Sequence, residues 1–140
     1  MIRPFLLACP LALAACSTSP SQPSSAAAEA AGQDRLAAAI GDRVPGEPQN
    51  CVFERNLQGP DVVNNRTLIY RQGAGRLYVN HLPDECVNVD RDTILVFRNL
   101  TSSQLCRNDP FTLVDRTSRF PTGGLCTLGQ FVPYERPSAD

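Results

Sequence analysis

Four cysteines, Cys51, Cys86, Cys106 and Cys126, are distributed along a stretch of fewer than eighty residues. An even number of cysteines in a small domain reads as a disulfide framework, and four of them allow three connectivities. No two of them have the short ligand spacing of a zinc site, and there is no Cys-x-x-Cys that would serve as a redox centre. Structural cross-links are therefore expected, each contributing about 2–4 kcal/mol, largely by restricting the unfolded chain. The expected pairing is Cys51–Cys126 with Cys86–Cys106, which would join an opening strand to a closing one. The consecutive pairing, Cys51–Cys86 with Cys106–Cys126, stays open.

Between these cysteines the apolar residues alternate with a period of two. Arg66–Arg71 and Arg76–Asn80 flank Gln72-Gly73-Ala74-Gly75, a hairpin signal. Thr93–Arg98 is an apolar run, read as a strand covered on both faces. Phe111–Asp115 is a further strand, and a loop at Pro121-Thr122-Gly123-Gly124 precedes a last one, Leu125–Val132. The expected fold is mainly β: a small antiparallel sheet or barrel-like meander of about five strands over residues 51–134. Residues 34–48 are read as a short helix, Asp34–Gly41, and a proline-broken linker. Residues 16–33 are rich in Ser, Pro, Ala and Gln and read as a flexible tether.

Ahead of the tether, Met1-Ile2-Arg3 places one positive charge before an apolar run, Pro4 to Ala15, which is the layout of a secretory signal. The run is short of the ~20 residues a membrane-spanning helix needs. Leu13-Ala14-Ala15-Cys16 resembles the lipobox of bacterial lipoproteins. The resemblance implies removal of residues 1–15 and acylation of Cys16; two or three acyl chains anchor a protein stably where one does not. Ser17 rather than Asp after the cysteine resembles the default that directs such proteins to the outer membrane, facing the periplasm. Ala12-Leu13-Ala14 is also an Ala-x-Ala cleavage site, which leaves open a soluble secreted protein.

Removing residues 1–15 takes away Arg3 and leaves 12 basic residues against 14 acidic ones. That balance gives no electrostatic footprint for nucleic acid. All basic residues are arginine; lysine is absent.

Leu68-Ile69-Tyr70, Arg76-Leu77-Tyr78, Leu82-Pro83-x-x-Cys86, Leu105-Cys106-Arg107-Asn108-Asp109 and Cys126-x-Leu128-Gly129 resemble a family of small proteobacterial exported proteins with four similarly spaced cysteines. The family's function is uncharacterised. The resemblance supports a β-rich, disulfide-bonded domain and transfers no activity or site residues.

The catalytic candidates are few. His81, the one histidine, is followed by Asp84 and Glu85, which would allow a small hydrolase, but no motif assigns a nucleophile. Asn88-Val89-Asp90-Arg91-Asp92 begins like a calcium loop, yet Thr93 and Asn99 stand where that loop needs Gly and Glu. Metal binding by Cys86, Cys106 and His81 is a third possibility. Tyr70, Tyr78 and Tyr134 are candidates for a ligand platform, against ordinary cross-strand packing. Asn65-Arg66-Thr67 and Asn99-Leu100-Thr101 match the glycosylation acceptor by chance, and Gly73-x-Gly75 is too short for a phosphate loop. No catalytic, metal or cofactor site is assigned. The expectation is a non-enzymatic envelope lipoprotein, partnered by the membrane through its anchor and by an envelope protein or cell-wall component, with an inhibitor-like role as one form.

Overall fold

The expected hairpin forms, and the rest of the sheet is built around it. The computed structural model describes residues 25–98 and 103–137. In chain order these comprise helix α1 (Ser25–Ile40), β1 (Val44–Pro45), β2 (Cys51–Phe53), β3 (Leu57–Asn64), β4 (Thr67–Gln72), β5 (Arg76–His81), β6 (Thr93–Phe97), β7 (Gln104–Cys106), β8 (Pro110–Asp115), β9 (Pro121–Thr127) and β10 (Phe131–Glu135). Cys16, the expected signal peptide at 1–15 and the first half of the expected tether, 16–24, lie outside the described residues.

Three antiparallel sheets result. The largest has the order β1-β10-β5-β4-β3; a second runs β6-β8-β9; β2 pairs with β7 alone. The fold is mainly β, as expected, but the expected meander of about five strands is instead ten described strands in three sheets. The expected strand Leu125–Val132 is two strands in different sheets, β9 and β10, broken at Leu128–Gln130. The expected turn at Pro121–Gly124 is the first half of β9.

β4 and β5, rather than β6, are the strands covered on both faces. Leu68, Tyr70 and Tyr78 point into a core shared with Phe111, Leu113, Val52, Leu105, Leu128 and Phe131 from the other sheets. The alternate residues Ile69, Leu77 and Val79, with Val63, face Leu36, Ala39 and Ile40 of α1. Burial of each such side chain contributes about 1.5–3 kcal/mol. On β6, Leu95 and Phe97 pack against the shared core, while Ile94 is half-buried and Val96 exposed, so the strand is well covered on one face only.

α1 starts nine residues earlier than Asp34. Ala26, Ala27, Ala28, Ala30 and Ala31 have the highest helix propensity of any residue, and the Leu36–Ile40 face docks the helix on the sheet. Residues 25–33 therefore belong to the helix and not to the tether. The helix ends at Gly41, whose N–H donates to the Ala37 carbonyl at 2.9 Å in a left-handed conformation. Arg43 donates to the carbonyls of Ala39 and Ile40, which satisfies groups the helix leaves open and sets positive charge at its C-terminal end.

The disulfides correct both expected pairings. Cys51 is bonded to Cys106 and Cys86 to Cys126. Cys51 and Cys106 are direct partners in the β2–β7 ladder, with Cα atoms 4.0 Å apart. Cys86 follows β5 and Cys126 lies on β9, so the second bond joins the five-stranded sheet to the three-stranded one. The expected link between opening and closing strands fails because β2 finds its partner in β7, not in β9.

Candidate functional site

The helix docks on β3 and leaves a groove along that contact. Arg35, one turn before the helix's docked end, reaches over the sheet and donates from Nη2 to the Val63 carbonyl. The groove has two adjoining compartments that share Arg35, Val62, Val63 and Arg91 in their linings. The larger, about 570 Å³, also meets Glu29, Glu85 and Asp90, so its charge is mixed. The smaller, about 300 Å³, is lined by Arg35, Arg71, Arg91 and Arg116 with Asp61 as its acidic residue. Its apolar surface comes from Ala39, Pro60, Val62, Val63 and Ile69.

Each arginine arrives from a different element, and local hydrogen bonds fix two of those elements. Arg91 sits in the loop before β6. There the Asp90 carboxylate accepts from the Asp92 N–H at 2.9 Å and from the Thr93 hydroxyl at 2.7 Å, an Asx-type turn. Arg116 follows β8, and its backbone N–H donates to the Asp92 carbonyl at 2.8 Å, which locks the two turns together. Arg71, near the end of β4, is already engaged: its Nη2 and Nε lie 2.9 and 3.1 Å from Asp61 Oδ2. The guanidinium groups of Arg91 and Arg116 have no hydrogen-bond or carboxylate partner among the described residues.

The other candidates separate. His81 ends β5, exposed, with Nδ1 3.3 Å from the Thr67 hydroxyl. No carboxylate pairs with it among the described residues, and Glu85 instead accepts from the Asn65 side-chain amide. The Cys86, Cys106 and His81 metal set is not available, since both sulfurs are in disulfides. The calcium-like loop is the Asx turn just described, its Asp90 oxygen committed to Thr93 and Asp92. Tyr70 and Tyr78 are direct partners across β4 and β5 and pack edge-on against Phe131, at 5.7 and 6.4 Å between ring centres. Tyr134 packs on the opposite, helix-facing side, so the three rings form no platform.

Sequence reasoning missed the arginine groove. Positions 35, 71, 91 and 116 share no motif or period, and only the approach of α1 and two loops to β3 brings them together.

These features describe a small disulfide-bonded β protein with a helix laid on one sheet and a charged groove beneath it. The chain belongs to a family of unknown function, DUF6491, which it matches over residues 1–135. No curated protein and no solved structure matches it.

Proposed function

We infer that the protein is a lipid-anchored module of the bacterial cell envelope that acts by binding. The reading takes Cys16 as the acylated N-terminus and the outer membrane, facing the periplasm, as its address. The observation that carries it is the combination of Leu13-Ala14-Ala15-Cys16 with two disulfides in a domain of this size. Disulfides persist where the surroundings are oxidising, as in the periplasm, and are rare in the cytosol.

The distance between anchor and domain agrees with this reading. Eight residues, 17–24, separate Cys16 from the first residue of α1. Even fully extended they span no more than about 30 Å, so the groove beside α1 would stay close to the membrane surface. A binding role is supported by the groove itself, where the Arg91 and Arg116 guanidinium groups have no partner among the described residues, while His81 has a threonine for its partner.

Intact-mass measurement of the protein recovered from envelopes tests the reading. The expected product lacks residues 1–15, carries acyl mass on Cys16 and is four hydrogens lighter for its two S–S bonds. Recovery from the cytosol with residues 1–15 in place and its thiols reduced would overturn it.

A further inference from the structure

The chain as a whole is close to neutral, with a formal charge of −1, yet the smaller compartment beside α1 gathers four arginines against one aspartate. Like charges held together repel, and the arrangement is relieved when an anion sits among them. Asp61 does not supply that anion for the whole set. One guanidinium, that of Arg71, already occupies it through two donors. This pair also sets a scale: a single carboxylate satisfies a single arginine, and three more line the same compartment.

We propose that this groove is a phosphate-binding site, with Arg35, Arg91 and Arg116 holding the anion. A guanidinium fork matches phosphate oxygens in bidentate fashion, and a phosphate offers enough oxygens and charge to engage several forks together where a carboxylate does not. Arg91 and Arg116 are free to turn toward it, while the bond between the Arg116 N–H and the Asp92 carbonyl keeps their backbones in place. Arg35 spans both compartments from the helix side. The apolar wall of Ala39, Val62 and Ile69 leaves room for a non-polar part of the ligand next to the phosphate. Glu29 and Glu85, in the larger compartment, direct the charged end away from themselves and toward Arg116. The proposal deepens the binding-module reading and rests on it only in treating the domain as a binder; export and acylation are read separately, by mass.

Isothermal titration of the full-length chain in non-ionic detergent is the test, with pyrophosphate, inorganic phosphate, citrate and dihexanoyl phosphatidylglycerol as probes. One phosphate-bearing probe is expected to bind per chain, with affinity falling as salt rises from about 50 to 200 mM. Arg91→Gln and Arg116→Gln are each expected to weaken it about tenfold or more, and Arg107→Gln, which lies outside the groove, to leave it unchanged. Because the Arg91 and Arg116 side chains have no partners among the described residues, both variants are expected to keep the thermal midpoint of the parent. Tighter binding of the short-chain lipid than of the inorganic probes assigns the phosphate to a lipid headgroup; the reverse order assigns it to a soluble phosphate. Absence of binding by every phosphate probe, equal binding in all three variants, or citrate binding as tightly as pyrophosphate overturns the proposal.

Discussion

The side chain of Asn80 holds both backbone groups of Gly129: its Nδ2 donates to the Gly129 carbonyl and its Oδ1 accepts from the Gly129 N–H, each at 2.9 Å. Asn80 is wholly buried on β5, and Gly129 lies in the short link from β9 to β10, where the chain passes from one sheet to another. A Cβ at position 129 would lie 1.8 Å from the His81 carbonyl oxygen, so only glycine lets the link come this close.

Asn80→Ala leaves a buried N–H and a buried carbonyl unpaired and is expected to lower stability by about 2–4 kcal/mol. Gly129→Ala forces the backbone itself to move and is expected to cost more than the Asn80 change. Urea denaturation of both variants checks this; an Asn80→Ala midpoint equal to that of the parent refutes the two-bond lock.

Non-reducing peptide mapping is expected to recover Cys51 linked to Cys106 and Cys86 linked to Cys126. Replacing Cys86 and Cys126 together by Ser is expected to cost about 2–4 kcal/mol, since the bond closes a loop of some forty residues and joins two sheets. A double variant as stable as the parent would show that the sheets hold together without it.

The Tyr70 hydroxyl is buried without a hydrogen-bond partner among the described residues. Burial, with the nearby Glu54 charge adding to it, pushes the phenol well above its ordinary range. Tyr70→Phe removes an unsatisfied group at little change in volume and is expected to raise stability by about 1 kcal/mol. The phenol ionises more easily in the unfolded chain than in the folded one. Its contribution is therefore intact below the unfolded value of about 10 and is lost as pH rises beyond it, so Tyr70→Phe is also expected to flatten the alkaline limb of a stability–pH curve.

Asp115 ends β8 and accepts from the N–H groups of Ser118 at 2.6 Å and Thr117 at 3.0 Å. These bonds, that of Ser118 foremost, hold its carboxyl below the usual carboxylate range. Because the folded value lies below the unfolded one, the turn is fully supported above about pH 4 and loses that support as pH falls through the folded value. An NMR titration is expected to show the Thr117 and Ser118 amides shifting together with the Asp115 carboxyl, at a midpoint below that of free aspartate. A midpoint at or above it contradicts the arrangement.

Local pattern made some of this fold legible and non-local contact decided the rest. The β4–β5 hairpin was readable because its alternation and the Gln72–Gly75 turn lie within fifteen residues. The start of α1 was not, because Ala and Ser in residues 25–31 suit a helix and a solvated tether alike; what decides is Leu36, Ala39 and Ile40 meeting Val63 and Val79. Pro121–Gly124 carries turn residues yet forms a strand, since a glycine at 123 lets the chain pass close to Leu113. The disulfide pairing depends on β2 and β7, each only three residues long and too short to show a period. In the groove, Arg91 was visible only as part of a loop, and nothing near Arg35 or Arg116 in sequence signals that they meet.

The two S–S bonds interleave: Cys86 lies inside the loop closed by Cys51 and Cys106, and Cys126 lies outside it. With residues 1–15 removed and Cys16 acylated as proposed, a chain that meets an oxidant from its N-terminal end presents Cys51 and Cys86 first, and these two are not native partners. Oxidation in order of appearance would thus yield a wrong isomer, and the yield of correctly bonded protein is expected to depend on an isomerase that reshuffles it, a dependence that a consecutively bonded chain would escape.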